Sequence, residues 1–193
     1  MEKISKYAFL GKNEYVYKKY NLKPLRKKDI QLIRKWRNEQ IDVLRQKKNI
    51  SINEQKKYYN YLEKKSFYVK KPESILFSII LDKKCIGYGG FVHIDWESQR
   101  AEISIVTMTS RNKNLNTYKK DFLAFFHIIQ DLGFNELRFN RLTTETYDIR
   151  PYVMDLLKKT GFKLEGRMIK HVKIQNQYVD SIIHGLLKED YVK

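Results

Sequence analysis

Cysteine is all but missing from this chain: Cys85 is the only one in 193 residues. That excludes an internal disulfide and any cysteine-based metal cluster. Cys85 lies in "KKCIGYGGF" beside an apolar run, where a buried small hydrophobe is expected rather than a nucleophile. Histidine is scarce too, and residues 93, 127, 171 and 184 lie too far apart in sequence to suggest a metal site, so no metal is expected. No window approaches the ~18 uninterrupted apolar residues of a membrane span. Neither end carries a basic, apolar, small-residue signal. The expectation is a soluble, cytoplasmic protein with no membrane partner, and no internal repeat or low-complexity tail breaks it up.

Acidic side chains are also few, 22 against 39 Lys plus Arg, for a net charge of +17. Residues 1–72 hold 21 basic and 7 acidic side chains, so most of the excess belongs to the N-terminal third. Such a field attracts polyanions and phosphorylated ligands. Lys, Asn, Ile and Tyr are abundant together, however, and a compositional bias accounts for the excess equally well. The lysines are scattered without an RNA-recognition motif, so nucleic acid is not an expected partner.

The hydrophobic period divides the chain. "YAFLGKNEYVYKKYNLKPL" suggests short strands around a Gly11-Lys12-Asn13 turn, with Pro24 closing the last. "DIQLIRKWRN" puts Ile30, Ile33, Trp36 and Arg37 on one helical face. Ser51 with Glu54 three residues later predicts a capping box, starting a helix that buries Tyr58, Tyr59 and Leu62. "SILFSIIL", "KCIGYGGFVHIDW" and "RAEISIVTM" follow as an antiparallel meander. A helix is expected from Asn116 to Leu132, stopped by Gly133. The strand "ELRFNRLTTET" precedes a helix with Pro151 in its first turn and Gly161 at its end, and two strands finish the chain.

That order resembles the GNAT superfamily of N-acetyltransferases, on "WRN" ending the first helix, "LKKTGF" after the last, and "QNQYVDSIIHGLL" across the final hairpin. The resemblance covers roughly residues 20–188. It implies an α/β (α+β) fold with a mixed, mostly antiparallel sheet of about seven strands flanked by about four helices. One domain over 1–193 is expected, with 1–20 as an N-terminal strand or hairpin extension. "GYGGFVHIDWESQRAEIS" and "WRNEQIDVLRQ" look more like the branch acting on bacterial amino sugars of the pseudaminic and legionaminic kind than like the ribosomal-protein N-acetyltransferases.

The resemblance implies acetyl-coenzyme A (acetyl-CoA) as donor and direct transfer to a primary amine in a ternary complex. The strand containing Val106, Thr107 and Met108 would splay from its neighbour to pair with pantetheine. Arg111, Asn112, Asn114, Asn116 and Thr117 would hold the pyrophosphate. The family pattern Arg/Gln-x-x-Gly-x-Gly/Ala falls here on Arg111 to Asn116, with asparagine at both glycine positions. Asparagine tolerates positive φ but keeps a side chain near an approaching phosphate. Asn116 or Thr117 is the expected cap of the following helix, whose first N–H groups suit an anion.

Amine acetylation needs a base for the ammonium and a proton for the departing thiolate. If Trp96 to Gln99 form the turn, His93 lies opposite Glu102, with Asp95 on the same face, and a His–Glu pair is the leading base. The family's thiolate acid would be a tyrosine at 157, where this chain has leucine, leaving Tyr147 and Tyr152 as substitutes. For the acceptor, Trp36, Arg37, Arg45 and Gln46 form one expected wall, and Trp96, Asp148, Arg150 and His171 the other. Paired arginines suit the diphosphate of a sugar nucleotide. The leading expectation is acetylation of an amino group on a nucleotide-linked sugar. The alternatives are a protein N-terminus as acceptor, or a GNAT-shaped binding protein without catalysis. The partners expected are a small-molecule amine and, as an alternative to a monomer, a second copy of the chain.

Overall fold

In the computed structural model, which describes residues 6–191, a tight hairpin of β1 (Tyr15–Tyr17) and β2 (Tyr20–Pro24) leads into helices α1 (Ile30–Glu39) and α2 (Ile52–Leu62). The meander β3 (Ile75–Leu81), β4 (Lys84–Asp95) and β5 (Arg100–Thr107) follows. A single-turn helix α3 (Thr109–Asn112) runs into the long α4 (Leu115–Asp131). Strand β6 (Arg141–Tyr147), helix α5 (Pro151–Lys159), β7 (Lys163–Ile174) and β8 (Gln177–Leu187) complete the order. Among the described residues eight strands form one sheet, β1-β2-β3-β4-β5-β6-β8-β7, in which only β5 and β6 pair in parallel. The count exceeds the expected seven strands and four helices because of the first hairpin and α3.

The local signals behave as their chemistry requires. Ser51 and Glu54 form the reciprocal capping box at the start of α2. Pro151 occupies the first turn of α5, and Gly161 follows it at φ +89°. Three expectations need correction. The first hairpin turns at Lys18 and Lys19, with Tyr17 facing Tyr20, and not at Gly11 to Asn13. Gly133 does not stop α4, which continues into a wider turn over Leu132–Glu136. Its missing side chain instead admits Phe91 and Leu142, which would lie 3.0 and 3.2 Å from a Cβ there. Tyr58 is 37% exposed, while Tyr59 and Leu62 are buried as expected.

The sheet has two covered faces. Tyr88 points toward α1, where its hydroxyl meets Arg37, and the next residue, Gly89, backs onto Phe125 of α4. Trp36 is 3% exposed and belongs to the core under α1. Cys85 is buried, and burial pushes its thiol up to about 12, so it stays protonated.

Beyond the end of β2, Tyr7 covers the edge of β3. Its buried hydroxyl donates to the carbonyl of Leu76 (2.8 Å) and accepts from the Leu76 N–H (2.6 Å). Tyr7→Phe strands that N–H without water or partner, so a loss of about 1–3 kcal/mol is expected in denaturant unfolding, with the slope unchanged.

Candidate active site

The parallel pairing of β5 with β6 lasts only three residues, Arg100–Glu102 against Arg141–Thr143. Beyond it each strand follows its other neighbour: β5 stays with β4 as far as Gly87↔Thr107, and β6 with β8 as far as Tyr147↔Ser181. The result is a wedge in the middle of the sheet. Backbone polar groups inside a sheet are ordinarily paired, and a gap between two strands leaves them facing a space a ligand can enter. A cleft of about 680 Å³ passes through this wedge, lined by Glu102 to Thr107 on one side and Thr144 to Tyr147 on the other.

Side chains alternate along the strands, so the wedge has two differently equipped faces. On the α1–α2 face, Arg45 draws three groups together. Its Nη2 donates to Glu102 Oε1 (2.8 Å) and Glu145 Oε2 (2.6 Å), and its Nη1 lies 3.3 Å from His93 Nε2. Arginine has no acceptor, so in this contact Nε2 is the accepting nitrogen. Burial works against the Arg45 charge, but Glu102 and Glu145 outweigh it and raise its pKa. Close by, Arg37 donates to Gln46 Oε1 (3.0 Å) and the Tyr88 hydroxyl (3.1 Å). Burial raises the Tyr88 pKa against the pull of Arg37, and pushes Tyr58, also on the wall, up to about 12.

His93 does not lie opposite Glu102. The turn is Trp96 to Gln99 as expected, with Asp95 facing Arg100, but a bulge intervenes and Glu102 faces Val92. His93 sits in the bulge at φ +50°, and the Ile94 N–H turns away to Glu73 O. The bulge redirects His93 to the carboxylates through Arg45 instead of directly.

The comparisons with known proteins bear on this geometry. A family model described as the acetyltransferase (GNAT) domain matches residues 22–183. The chain belongs to the GNAT family of acetyltransferases. By that membership it is an acyltransferase enzyme. No curated protein matches it by sequence. Among solved structures it is similar to the spermidine N-acetyltransferase of Vibrio cholerae in complex with CoA and spermine, with TM-score 0.77 and 17% identity over 91% of this chain and 99% of that one. A mutant form of the spermidine/spermine N-acetyltransferase SpeG from the same organism gives 0.75 and 17%, covering 90% and 96%. At this identity the likeness shows the fold alone.

In this GNAT chain the glycine-free loop has no residue at positive φ, so its path does not demand glycine. The cap of α4 is Asn114, whose side chain accepts from the Thr117 N–H (2.9 Å), and neither Asn116 nor Thr117. Arg111 does not face an anion. Its guanidinium is bidentate on Asp121 (2.6 and 2.8 Å), a carboxylate only 1% exposed that also accepts from the Tyr20 hydroxyl. Asn112 accepts from Thr107 Oγ1 (2.5 Å) and donates to Gln40 Oε1 (2.9 Å), pinning the loop to the residue that caps the end of α1. The Met108 N–H is taken by Ile86 O.

Of the acceptor wall, Arg37, Arg45, Gln46 and Arg150 reach the cleft, as do Val106, Thr107 and Tyr147 from the strands. The others do not. Asp95 accepts from Ser98 and pairs with Arg100 inside its own turn. Trp96 donates to Pro72 O and packs on Phe139. Asp148 pairs with Arg167, and His171 is exposed on the terminal hairpin. Glu145, Tyr88 and Tyr118 line the cleft without a mark in the sequence, and Tyr58, expected only as a core residue, lines it too. Glu145 shares the face of Thr143, which pairs with Glu102, a relation that only the parallel register reveals.

Proposed function

We propose that the protein is an N-acetyltransferase that transfers acetyl from acetyl-CoA to the primary amine of a small polar molecule, most specifically an amino sugar carried on a nucleotide. The observation that carries this reading is the cluster of Glu102, Glu145 and His93 beside an unpaired wedge between two strands. Open backbone edges in the wedge suit the amides of a pantetheine arm. The exposed N-terminus of the 17-residue α4, with Lys113 beside it, offers N–H groups and the positive dipole end to a pyrophosphate. Asn114 and Arg111 are occupied by protein groups, so this end of the donor site relies on fewer side chains than the sequence suggests.

The acceptor's ammonium is a cation, and Arg45 marks where a cation is held between two carboxylates. Glu102 or Glu145 takes its proton, with His93 as relay once Arg45 releases Nε2. Arg37, whose hydrogen-bond partners here are neutral, is the guanidinium left to meet a phosphate. A second reading, a polyamine acceptor, is favoured by Glu73 in the same cleft, which with Glu102 and Glu145 gives three carboxylates.

The test is CoA release from acetyl-CoA with a panel of nucleotide-linked amino sugars, free amino sugars, spermidine and spermine. Acetyl-CoA is expected to raise the melting temperature by mass action. Turnover with the sugar nucleotides supports the first acceptor and turnover with spermidine alone the second. No thermal shift and no release with any amine would remove the transferase reading.

A further inference from the structure

The two carboxylates of the cleft are fixed, and the cation between them is not. Glu102 and Glu145 stand on β5 and β6 with side chains 20% and 16% exposed, and Glu145 Oε1 also accepts from the Ser181 hydroxyl (2.8 Å). Arg45 comes from the segment between α1 and α2 and its side chain is 44% exposed. Among the described residues its hydrogen bonds go only to Glu102, Glu145 and His93. The chain around it is anchored without it. Gln46 is held by Arg37 and Asn38, and Gln40 donates to Thr107 O and Thr109 Oγ1. Releasing the guanidinium therefore takes rotation of one long side chain between rotamers and no movement of the loop. What cannot be left behind is the charge: two ionised carboxylates that share one cation repel each other without it.

We propose, resting on the acetyl-transfer reading, that Arg45 is an internal stand-in for the acceptor. Its guanidinium closes the acceptor subsite, and an amine enters only by bringing a cation of its own to Glu102 and Glu145. Arg45 is then a specificity-determining residue that gives way to the substrate, not one that grips it. Ammonium and guanidinium compounds can take its place, because each offers N–H donors together with a positive charge. Water and uncharged nucleophiles bring no charge to replace it, so Arg45 keeps the basic carboxylates covered while no amine is bound. Its departure also frees His93 Nε2, 3.3 Å from Nη1, at the moment the amine arrives.

This competition has a sign that a gripping residue does not. A site open for only part of the time binds its ligand more weakly by that fraction, so removing the internal occupant strengthens binding. Partly exposed ion pairs are individually weak, which keeps the effect modest. Arg45→Ala is expected to lower the KM for the amine that turns over by about three- to tenfold. Arg45→Met, which keeps the aliphatic stem without its charge, should move KM in the same direction.

Methylguanidinium is the direct probe. At low millimolar concentration, with neither acetyl-CoA nor amine present, it is expected to raise the melting temperature of Arg45→Ala and to leave the wild type unmoved. Adding Glu102→Gln and Glu145→Gln to Arg45→Ala should abolish that shift. In turnover, methylguanidinium should inhibit Arg45→Ala competitively against the amine. A KM that stays or rises in both Arg45 variants overturns the assignment. So does an Arg45→Ala protein that methylguanidinium stabilises no more than the wild type, or a shift that survives loss of both carboxylates. The thermal shift needs no turnover, so it decides for or against the displaceable arginine even where no amine is acetylated and the transfer reading falls.

Discussion

The double substitution Glu102→Gln, Glu145→Gln is expected to lower kcat/KM by about 10²–10⁴, with acetyl-CoA binding retained. Both carboxylates hold the same guanidinium, 2.8 and 2.6 Å from Arg45 Nη2, so either is placed to receive an ammonium proton when the other is lost. Each single variant is therefore expected to lose only about tenfold, and the pair to lose more than the product of the singles, as two groups that can stand in for one another do. Glutamine preserves shape and keeps the acceptor for the Ser181 hydroxyl on residue 145, so the change is in charge and basicity, not packing. The pH dependence gives an independent readout. Without a base the enzyme uses only amine that is already neutral, and the rate of the double variant should climb about tenfold per pH unit below the amine's own pKa. A double variant with the wild-type rate and pH profile would clear both carboxylates of this role.

That experiment turns on Glu145, which sequence reasoning passed over, while Glu102 was found. The difference is one of register. Glu102 stands in an antiparallel meander whose turn is short enough to count across, and the count placed Trp96 to Gln99 correctly. It still misplaced His93, because the bulge at φ +50° carries neither glycine nor asparagine and leaves "VHID" alternating as an unbroken strand would. Glu145 stands on a strand joined to β5 only through α3 and α4. Parallel partners separated by a helix leave no local mark of their register.

The loop after β5 shows the same limit. Its sequence, "TSRNKNLNTYKK", lacks the glycines of its family, and propensity alone suggested left-handed asparagines. In the fold those asparagines act through their side chains, Asn114 as a helix cap and Asn112 as a clamp onto Gln40. Arg111 is absorbed by Asp121, ten residues on, a pairing that burial of the carboxylate enforces. The strong local signals, Ser51 with Glu54 and Pro151 with Gly161, were legible because each is completed within a few residues. Of the site, the cleft positions of Arg37, Arg45, Gln46 and Arg150 followed from the order of elements, while the contacts that draw Arg45, Glu102 and Glu145 together, between elements far apart in sequence, did not.

Gly90→Ala is expected to be the most damaging single change in the sheet. A Cβ at residue 90, where φ is +155°, would lie 2.0 Å from the carbonyl oxygen of Ile75 and 3.0 Å from Leu76 Cα, both backbone atoms of β3. No rotamer relieves that overlap, so β3 must move away from β4. Leu76, directly opposite Gly90, is also tied to the Tyr7 hydroxyl through both its N–H and its carbonyl, and that carbonyl accepts from the Leu25 N–H. A shift of β3 therefore disturbs the N-terminal segment and the exit from β2 together. The expected loss exceeds about 4 kcal/mol, at the extreme end for a point substitution, and at 2–4 °C per kcal/mol the melting temperature falls by roughly 10 °C or more. Gly166→Ala, where a Cβ meets no atom within 4 Å, is the matched control and should stay within about 0.5 kcal/mol of the wild type. Thermal unfolding of the two variants side by side measures the difference, and equal melting temperatures would show that β3 and β4 are not as closely joined at Gly90 as this packing requires.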